Sequence, residues 1–419
     1  MMSSKIAIVG GGHVGSVLGL ALLSKGFDAT ILTHATPRQL RAGRILSSQC
    51  IWGTAGAIER RCAPSFWQDE YAGIGGFRIR MADATNGVVE SDIEASLDAN
   101  GNSVDQRLKM AAWLEEFENR GGTLRFGELS ESDMEAVANA FDLTIVCAGK
   151  FRGDLGNLFP RDAARSRHDT VQRVGAVVSI RGRKQQLSTA QFAAFEEWSV
   201  VPGIGDFFAI PAFSERGPCH ILCMEGFVGG PLDRFAGVRQ PQEILRLTRD
   251  IFERWLPWER GRWDGVTLSD EGGAICGGFA PIVRHPIVTM ANGISIMAFG
   301  DAFVLLDPLT AQGANMHLKN IPLLLDRIDQ ASGRFDRDWM EETTNLIWER
   351  SRPIDAVLEQ YLNPRPHLWN IFRAAHKSKQ FSHWWVNAHF DKPTELLPWI
   401  EDGDRTDRLL DDLVTAGVS

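Results

Sequence analysis

Apolar positions along the chain fall into three rhythms, and the rhythm changes with distance from the N-terminus. Lys5-Ile-Ala-Ile-Val9 is a short continuous apolar run, the mark of a strand covered on both faces. Ser16 to Lys25 sets Leu18, Leu22 and Leu23 on one helical face and stops at Gly26. Phe27 to Thr33 returns to strand. Val104 to Arg120 repeats the helical period through Leu108, Ala111, Leu114 and Phe117 and ends at Gly121-Gly122. Phe141 to Cys147 is a further buried strand, closed by a small-residue turn at Gly149. From about 170 to 285 the period becomes two. Strands are predicted at Val174 to Ile180, Phe207 to Ala212 and His220 to Phe227, with a helix at Pro241 to Trp255. Beyond 335 the pattern is helical and rich in Trp, broken by prolines.

The first strand and helix are joined by Gly10-Gly-Gly12-His13-Val14-Gly15, a G-x-G-x-x-G turn in its strand-turn-helix setting. Gly10 makes the tight turn, Gly12 lets the backbone approach a pyrophosphate, and Gly15 lets helix pack on strand. The diphosphate would rest on the N–H groups of the helix start. The acidic residue expected at the end of the second strand is missing, because Thr33 and His34 stand there. That favours FAD over NAD, and a loosely held FAD. A second coenzyme segment lies far downstream: a strand from Ile294 ends at Gly300-Asp301, a loop carries Asp307-Pro308, and Gly313-Ala314-Asn315 opens a helix. A carboxylate at a strand end suits a ribityl hydroxyl, and a helix N-terminus suits the anion that forms on a reduced flavin. Arg107, in the first turn of its helix, is placed to reach a phosphate.

Composition narrows the partners. Lys and Arg number 44 against 53 Asp and Glu, a net charge of −9, which argues against nucleic acid and anionic membrane. The uncharged run from Ile6 to Ser24 carries five glycines and reads as the turn above, not as a membrane span. Six cysteines without a C-x-x-C pair predict neither a disulfide framework nor a structural metal, and fit a cytoplasmic setting. The aromatic set is skewed, with 23 Phe and 13 Trp against 2 Tyr.

In order along the chain, the Gly10-Gly12-Gly15 turn, Gly43-Arg44-Ile-Leu, Val104-Asp-Gln-Arg107-Leu, Asp142 to Lys150 and Gly300-Asp301…Asp307-Pro308…Gln312-Gly-Ala-Asn315 resemble the oxygenase component of the styrene and indole monooxygenases. These are flavoproteins of the glutathione-reductase-like FAD fold. The resemblance spans about residues 5–320 and is loosest in the middle. It implies a coenzyme site of Gly10, Gly12, His13, Val14, Gly15, Thr33, Arg44, Arg107, Gly149, Gly300, Asp301, Pro308, Gly313, Ala314 and Asn315. It implies a partner, an NADH-dependent flavin reductase that supplies FADH₂. With O₂ as co-substrate, a flavin C4a-hydroperoxide would then epoxidise a small aromatic alkene, with no catalytic side chain and no metal.

The same resemblance suggests pocket positions at Ser47, Gln49, Ile51, Ile74 and Phe77, and the sheet expected over the flavin adds Phe207, Phe208, Phe279 and Val304 as candidate walls, with Pro308 of the downstream loop beside them. Ser47, Gln49 and Ile51 stand where styrene-selective members carry Asn, Val and His, so the indole-oxidising branch is favoured. Two departures stand out: Thr310-Ala311 replaces Leu-Gly, and Phe77 replaces the Ile of the indole branch. The fold expected is α/β, a Rossmann-like FAD domain (1–48, 98–168 and 288–335) interleaved with a β-sheet substrate domain (49–97 and 169–287), then a C-terminal helical region (336–419). A single-component NAD(P)H-dependent hydroxylase and a non-catalytic flavin-binding protein remain alternatives, and assembly as a homodimer stays open.

Overall fold

The computed structural model describes residues 4–149, 155, 158–182, 188–189 and 191–415, so Lys150 lies outside the described residues. The elements begin β1 (Lys5–Val9), α1 (His13–Ser24), β2 (Asp28–Thr33), α2 (Pro37–Arg41), β3 (Cys50–Ile51), α3 (Gly53–Cys62), β4 (Ile74–Ala82) and β5 (Val89–Ser103). They continue with α4 (Gln106–Asn119), β6 (Thr123–Phe126), α5 (Met134–Ala140), β7 (Leu143–Val146), β8 (Arg173–Arg181), β9 (Ala194–Val201), β10 (Gly205–Ser214) and β11 (Gly217–Phe227). Next come α6 (Pro241–Trp255), β12 (Thr267–Leu268), β13 (Ala274–Gly277), β14 (Ile282–Val283), β15 (Ile287–Thr289), β16 (Ser295–Ala298), β17 (Val304–Leu305) and α7 (Gln312–Gln330). The chain closes with α8 (Arg337–Leu362), α9 (Pro366–Lys377), α10 (Lys379–Asp391), α11 (Leu397–Ile400) and α12 (Gly403–Thr415).

β1 sits inside a six-stranded sheet of order β15-β16-β7-β1-β2-β6. Its neighbours run parallel, and only the edge strand β15 is antiparallel. Ala7 lies opposite Thr30 on one side and Thr144 on the other. A strand covered on both faces needs an unbroken apolar run, and Ile6, Ala7, Ile8 and Val9 are all buried. This is the α/β architecture that the sequence pattern predicts.

The larger sheet has the order β12-β8-β11-β10-β9-β4-β5-β3, with β13 also on β8. Here alternation decides everything. Ala176, Val178 and Ile180 of β8, Phe207 and Ala209 of β10, and Leu222 and Met224 of β11 point one way, into a core under α6. Trp198 and Val200 of β9, Ile210 of β10 and Cys223 of β11 point the other way, into the main core shared with the first sheet and the C-terminal helices. Among the described residues no helix is long and apolar enough to cross a membrane.

Candidate functional site

The N-terminal turn is shaped by contacts that only glycine permits. Gly10 has φ +116°, and a Cβ there would lie 2.8 Å from the Ala148 nitrogen. A Cβ on Gly15 would lie 2.0 Å from the Gly10 carbonyl oxygen, so α1 rests on the turn with no room for a methyl group. Gly12 is different, because a Cβ there would meet nothing within 4 Å. It begins α1, which has no side-chain cap and no acidic residue in its first turn. The helix therefore presents its N–H groups and positive dipole end to open space.

The side chains around this turn face inward. His13 Nε2 lies 2.6 Å from Glu59 Oε2, and Lys109 Nζ lies 2.8 Å from Glu59 Oε1. Burial opposes ionisation of Glu59, but Lys109 and His13 outweigh it and hold the carboxyl at about 2. Burial pushes His13 down, leaving a neutral imidazole against a Glu59–Lys109 ion pair. His13 can thus offer a ligand its backbone N–H, not its ring. Thr33 is buried beside Gly11.

The distant second segment arrives at the same place. A Cβ on Gly300 would lie 3.7 Å from Val14 Cγ1, and one on Gly149 would lie 2.2 Å from the Asp301 backbone carbon. Asp301 Oδ1 is 3.1 Å from His317 Nε2, and Arg284 Nη1 donates to the Asp301 carbonyl at 3.0 Å. Beyond it, the Leu309 N–H donates to Asp307 Oδ1 at 3.1 Å, tightening the Pro308 turn. Burial raises the Asp307 carboxyl to about 6, and its Oδ2 has no partner among the described residues. Ala311 then enters the left-handed region at φ +52°, the conformation that explains why the resemblance expects glycine there. α7 starts without a side-chain cap or acidic residue, and Gly313 opens on empty space. Two bare helix starts with clearance at Gly12 and Gly313, together with the part-exposed Asp301, fit a coenzyme with a diphosphate and a flavin whose reduced ring is anionic.

Asn315, wholly buried, faces elsewhere. It accepts from the Trp52 N–H at 2.8 Å and donates to the carbonyls of Cys50 and Ala311 at 3.0 and 2.7 Å, joining α7 to β3. Ala314 beside it is half-buried. Arg107 is not free to take a phosphate as expected. Its guanidinium donates to Asp105, to Asp270 and to the Gly43 carbonyl, a set already electrically satisfied. Arg44 is exposed, its Cα packed near Gly272.

Behind the Pro308–Ala311 turn lies a cavity of about 390 Å³, part of it open to solvent. Its walls are not those expected. Ser48, Cys50 and Trp52 line it, whereas Ser47, Gln49 and Ile51 do not. The Ser47 hydroxyl donates to Gln106 Oε1 at 3.2 Å, and the Gln106 N–H donates to Gln49 Oε1 at 3.0 Å, so this pair serves α4. Ile51 is buried without reaching the cavity. The left-handed turn at Gln49, φ +57°, swings that side chain to α4 while Ser48, Cys50 and Trp52 face the cavity.

Pro308 and Phe208 do line the cavity, but Phe207 turns under α6 with its ring 5.4 Å from Phe252. Phe77 stands one layer back, stacked at 3.8 Å on Phe390, which is itself a wall. Ile74 is buried in β4 opposite Gly101 and Ala194. Val304 is buried opposite Val283, and Phe279 is half-buried on the loop after β13.

The remaining walls include Glu196, Trp198, Cys223 and Glu225, none of them anticipated. The cavity is aromatic but not purely apolar. A second cavity of about 490 Å³ shares Trp198, Leu309, Thr310 and His389 with it and adds Arg173, Asp206 and Tyr361. Burial pushes His389 down to about 3, and the Nδ1 of its neutral ring shares a hydrogen bond with the Tyr361 hydroxyl at 2.9 Å. The sequence did carry one signal: Glu225 interrupts an apolar strand, and a buried strand rarely spends a position on a carboxylate without cause.

Residues 151–262 match the family model described as styrene monooxygenase A putative substrate binding domain. Over 323 residues the chain is 28% identical to styrene monooxygenase StyA of Pseudomonas fluorescens, covering 75% of each chain, and StyA of a Pseudomonas species matches to the same extent. Among solved structures, the flavin-dependent brominase Bmp2 superposes with a TM-score of 0.61 at 13% identity, covering 94% of this chain and 98% of that one. A variant of halogenase PltM in complex with FAD gives 0.61 at 13% identity, over 97% of this chain and 86% of that one. A flavoprotein/dehydrogenase from Cytophaga hutchinsonii gives 0.61 at 13% identity over 100% of both chains. At these identities the structural likeness speaks for the fold alone.

Proposed function

We propose that this styrene-monooxygenase-like chain, a flavin-dependent monooxygenase, is the oxygenase component of a two-component system, fed with FADH₂ by a separate NADH-dependent reductase and acting on indole, styrene or a related small aromatic alkene. The observation that carries the reading is the convergence of two bare helix starts, at Gly12 and Gly313, beside an aromatic cavity. In this reading 1–48, 98–168 and 288–335 form the FAD-binding part, 49–97 and 169–287 the substrate part, and 336–419 a helical region that closes the chamber.

Bound reduced flavin supplies the oxygen-activating chemistry: one atom of O₂ goes to the double bond, the other leaves as water, and the flavin gives up two electrons. The protein's own task is to position and to exclude water. The helix starts hold the charged parts of the coenzyme through backbone N–H groups, and the carboxylate of Asp301 takes a ribityl hydroxyl. Trp52, Trp198 and Phe208 orient a flat ring and keep the chamber dry. A bare backbone grip without a ribose-binding carboxylate suits a coenzyme exchanged with a reductase.

The test adds chemically reduced FAD and air to the purified chain with indole and with styrene, followed by product analysis. Epoxide-derived products from either substrate are expected, and none from NADH without a reductase. Rapid reduction of bound FAD by NADH alone would select a single-component hydroxylase. No oxygenated product, with flavin bound, would select a non-catalytic flavin protein.

A further inference from the structure

The face of the large sheet that looks toward the Pro308 turn carries three carboxyl groups, Glu196 on β9, Asp206 on β10 and Glu225 on β11. Strand register sets them there. Asp206 lies directly opposite Glu225, and Phe208 lies opposite both Cys223 and Trp198. Alternation then puts Glu196 on the same face as Trp198. Asp206 is accounted for, since its Oδ1 accepts from Trp198 Nε1 at 3.0 Å. Glu196 Oε2 lies 4.0 Å from the Cys50 sulfur, too long to satisfy it well. Glu225 is 8% exposed, and its Oε2 has no partner among the described residues.

Glu196 and Glu225 both line the cavity behind the Pro308 turn, whose walls include no Lys or Arg. The nearest such cation in the sheet, Arg173, opens on the other cavity. Its Nη2 donates to the carbonyls of Tyr361 and Leu362, its Nε and Nη1 have no partner among the described residues, and its charge favours ionisation of Glu225 without a hydrogen bond to it. A buried acceptor left unpaired is costly, and a ligand that supplies its donor recovers that cost. A hydrocarbon ring cannot, and an anion would meet two carboxyl groups. A flat, neutral ring carrying one N–H matches the aromatic walls and the orphaned oxygen together.

We infer that Glu225 is a specificity-determining residue that receives a ring N–H, so the preferred substrate class is a neutral N–H heteroarene such as indole in place of a hydrocarbon alkene. Glu196 lines the same cavity from two strands away, level with Ile210, while Glu225 is level with Asp206. This deepens the proposed function and rests on it. Ser47 and Gln49, the polar residues expected in the pocket, are engaged at α4 and leave this role to the opposite wall.

The experiment compares indole with indene, its carbon isostere without the N–H, on the full chain with FAD. Calorimetry on the wild-type protein should show indole bound about 10-fold or more tightly than indene. Glu225→Leu should lower the indole-over-indene ratio of kcat/KM by about 10- to 100-fold, while Glu225→Gln, which keeps a carbonyl acceptor, should hold that ratio within about threefold. Equal binding of indole and indene to the wild-type protein, or an unchanged ratio in Glu225→Leu, overturns the assignment. Tighter binding of tryptamine than of indole also overturns it, because the Glu225 carboxyl would then be an ammonium site. Should no substrate be oxygenated, the proposed function fails, yet the calorimetric preference for indole still reports on Glu225.

Discussion

Around Gly12 and Gly313 the chain is shaped by side chains it lacks, whereas across Glu196, Trp198 and Glu225 it is shaped by the side of the strand on which each residue falls. The two regions adjoin at the Pro308 turn, yet they obey different rules. A backbone grip depends on clearance, so it tolerates little and announces itself as spaced glycines. A cavity wall depends on register, so neighbouring residues one step apart have opposite fates. Gln49 and Cys50 illustrate it: the first takes φ +57° and serves α4, while the second faces the chamber.

The sharpest break is expected on the coenzyme side. Removing the charge in Glu59→Ala leaves Lys109, wholly buried, without its counter-ion, and should cost about 3–5 kcal/mol by denaturant unfolding, together with weakened FAD binding. The same residue sets an acid limit. Glu59 is held at about 2 against an ordinary 4.5, so its stabilising share is complete above about pH 4.5 and is lost as pH falls toward 2. Thermal melts across that window should show a shallower acid slope in Glu59→Gln than in the wild type.

At the junction, Asn315→Ala removes three hydrogen bonds and strands the Trp52 N–H and the Cys50 carbonyl. A loss of about 2–3 kcal/mol is expected, with a rise in substrate KM because Trp52 is a wall. An unchanged KM would separate the two regions that the structure joins.

The substrate face should respond with the opposite sign. Burial pushes Glu196 and Glu225 well above the usual 4.5, so the folded protein holds their protons more tightly than the unfolded chain does. Their cost therefore grows as pH rises above about 4.5. Glu196→Gln should melt a few degrees higher than wild type at pH 8, an advantage that shrinks toward pH 5. The smallest effect belongs to Ala311→Gly, which relieves the left-handed strain at φ +52° and should gain about 0.5–1 kcal/mol, less the entropy of the added glycine.

Much of this was legible in the sequence, and the contrast says which part. The glycine turn, the buried strands and the downstream Gly300-Asp301 segment need only local rules, since Gly10 and Gly15 act on atoms a few residues away. Arg107 was misread because its partner Asp270 lies 163 residues downstream and gives no local signal. Leu46-Ser-Ser-Gln-Cys-Ile-Trp52 shows no alternation of its own, and its parity is imposed by the Cys50–Ser103 pairing and by Asn315. Glu225 was visible as an interruption, but its environment comes from β8 and β10.

Two thiols, those of Cys50 and Cys223, look into the chamber where dioxygen would be activated. Only the deprotonated sulfur is readily attacked by a peroxide. Burial pushes both thiols well above their usual range and keeps the sulfurs protonated. The same dry packing that would shelter an activated oxygen from water would thus also spare the thiols that line it.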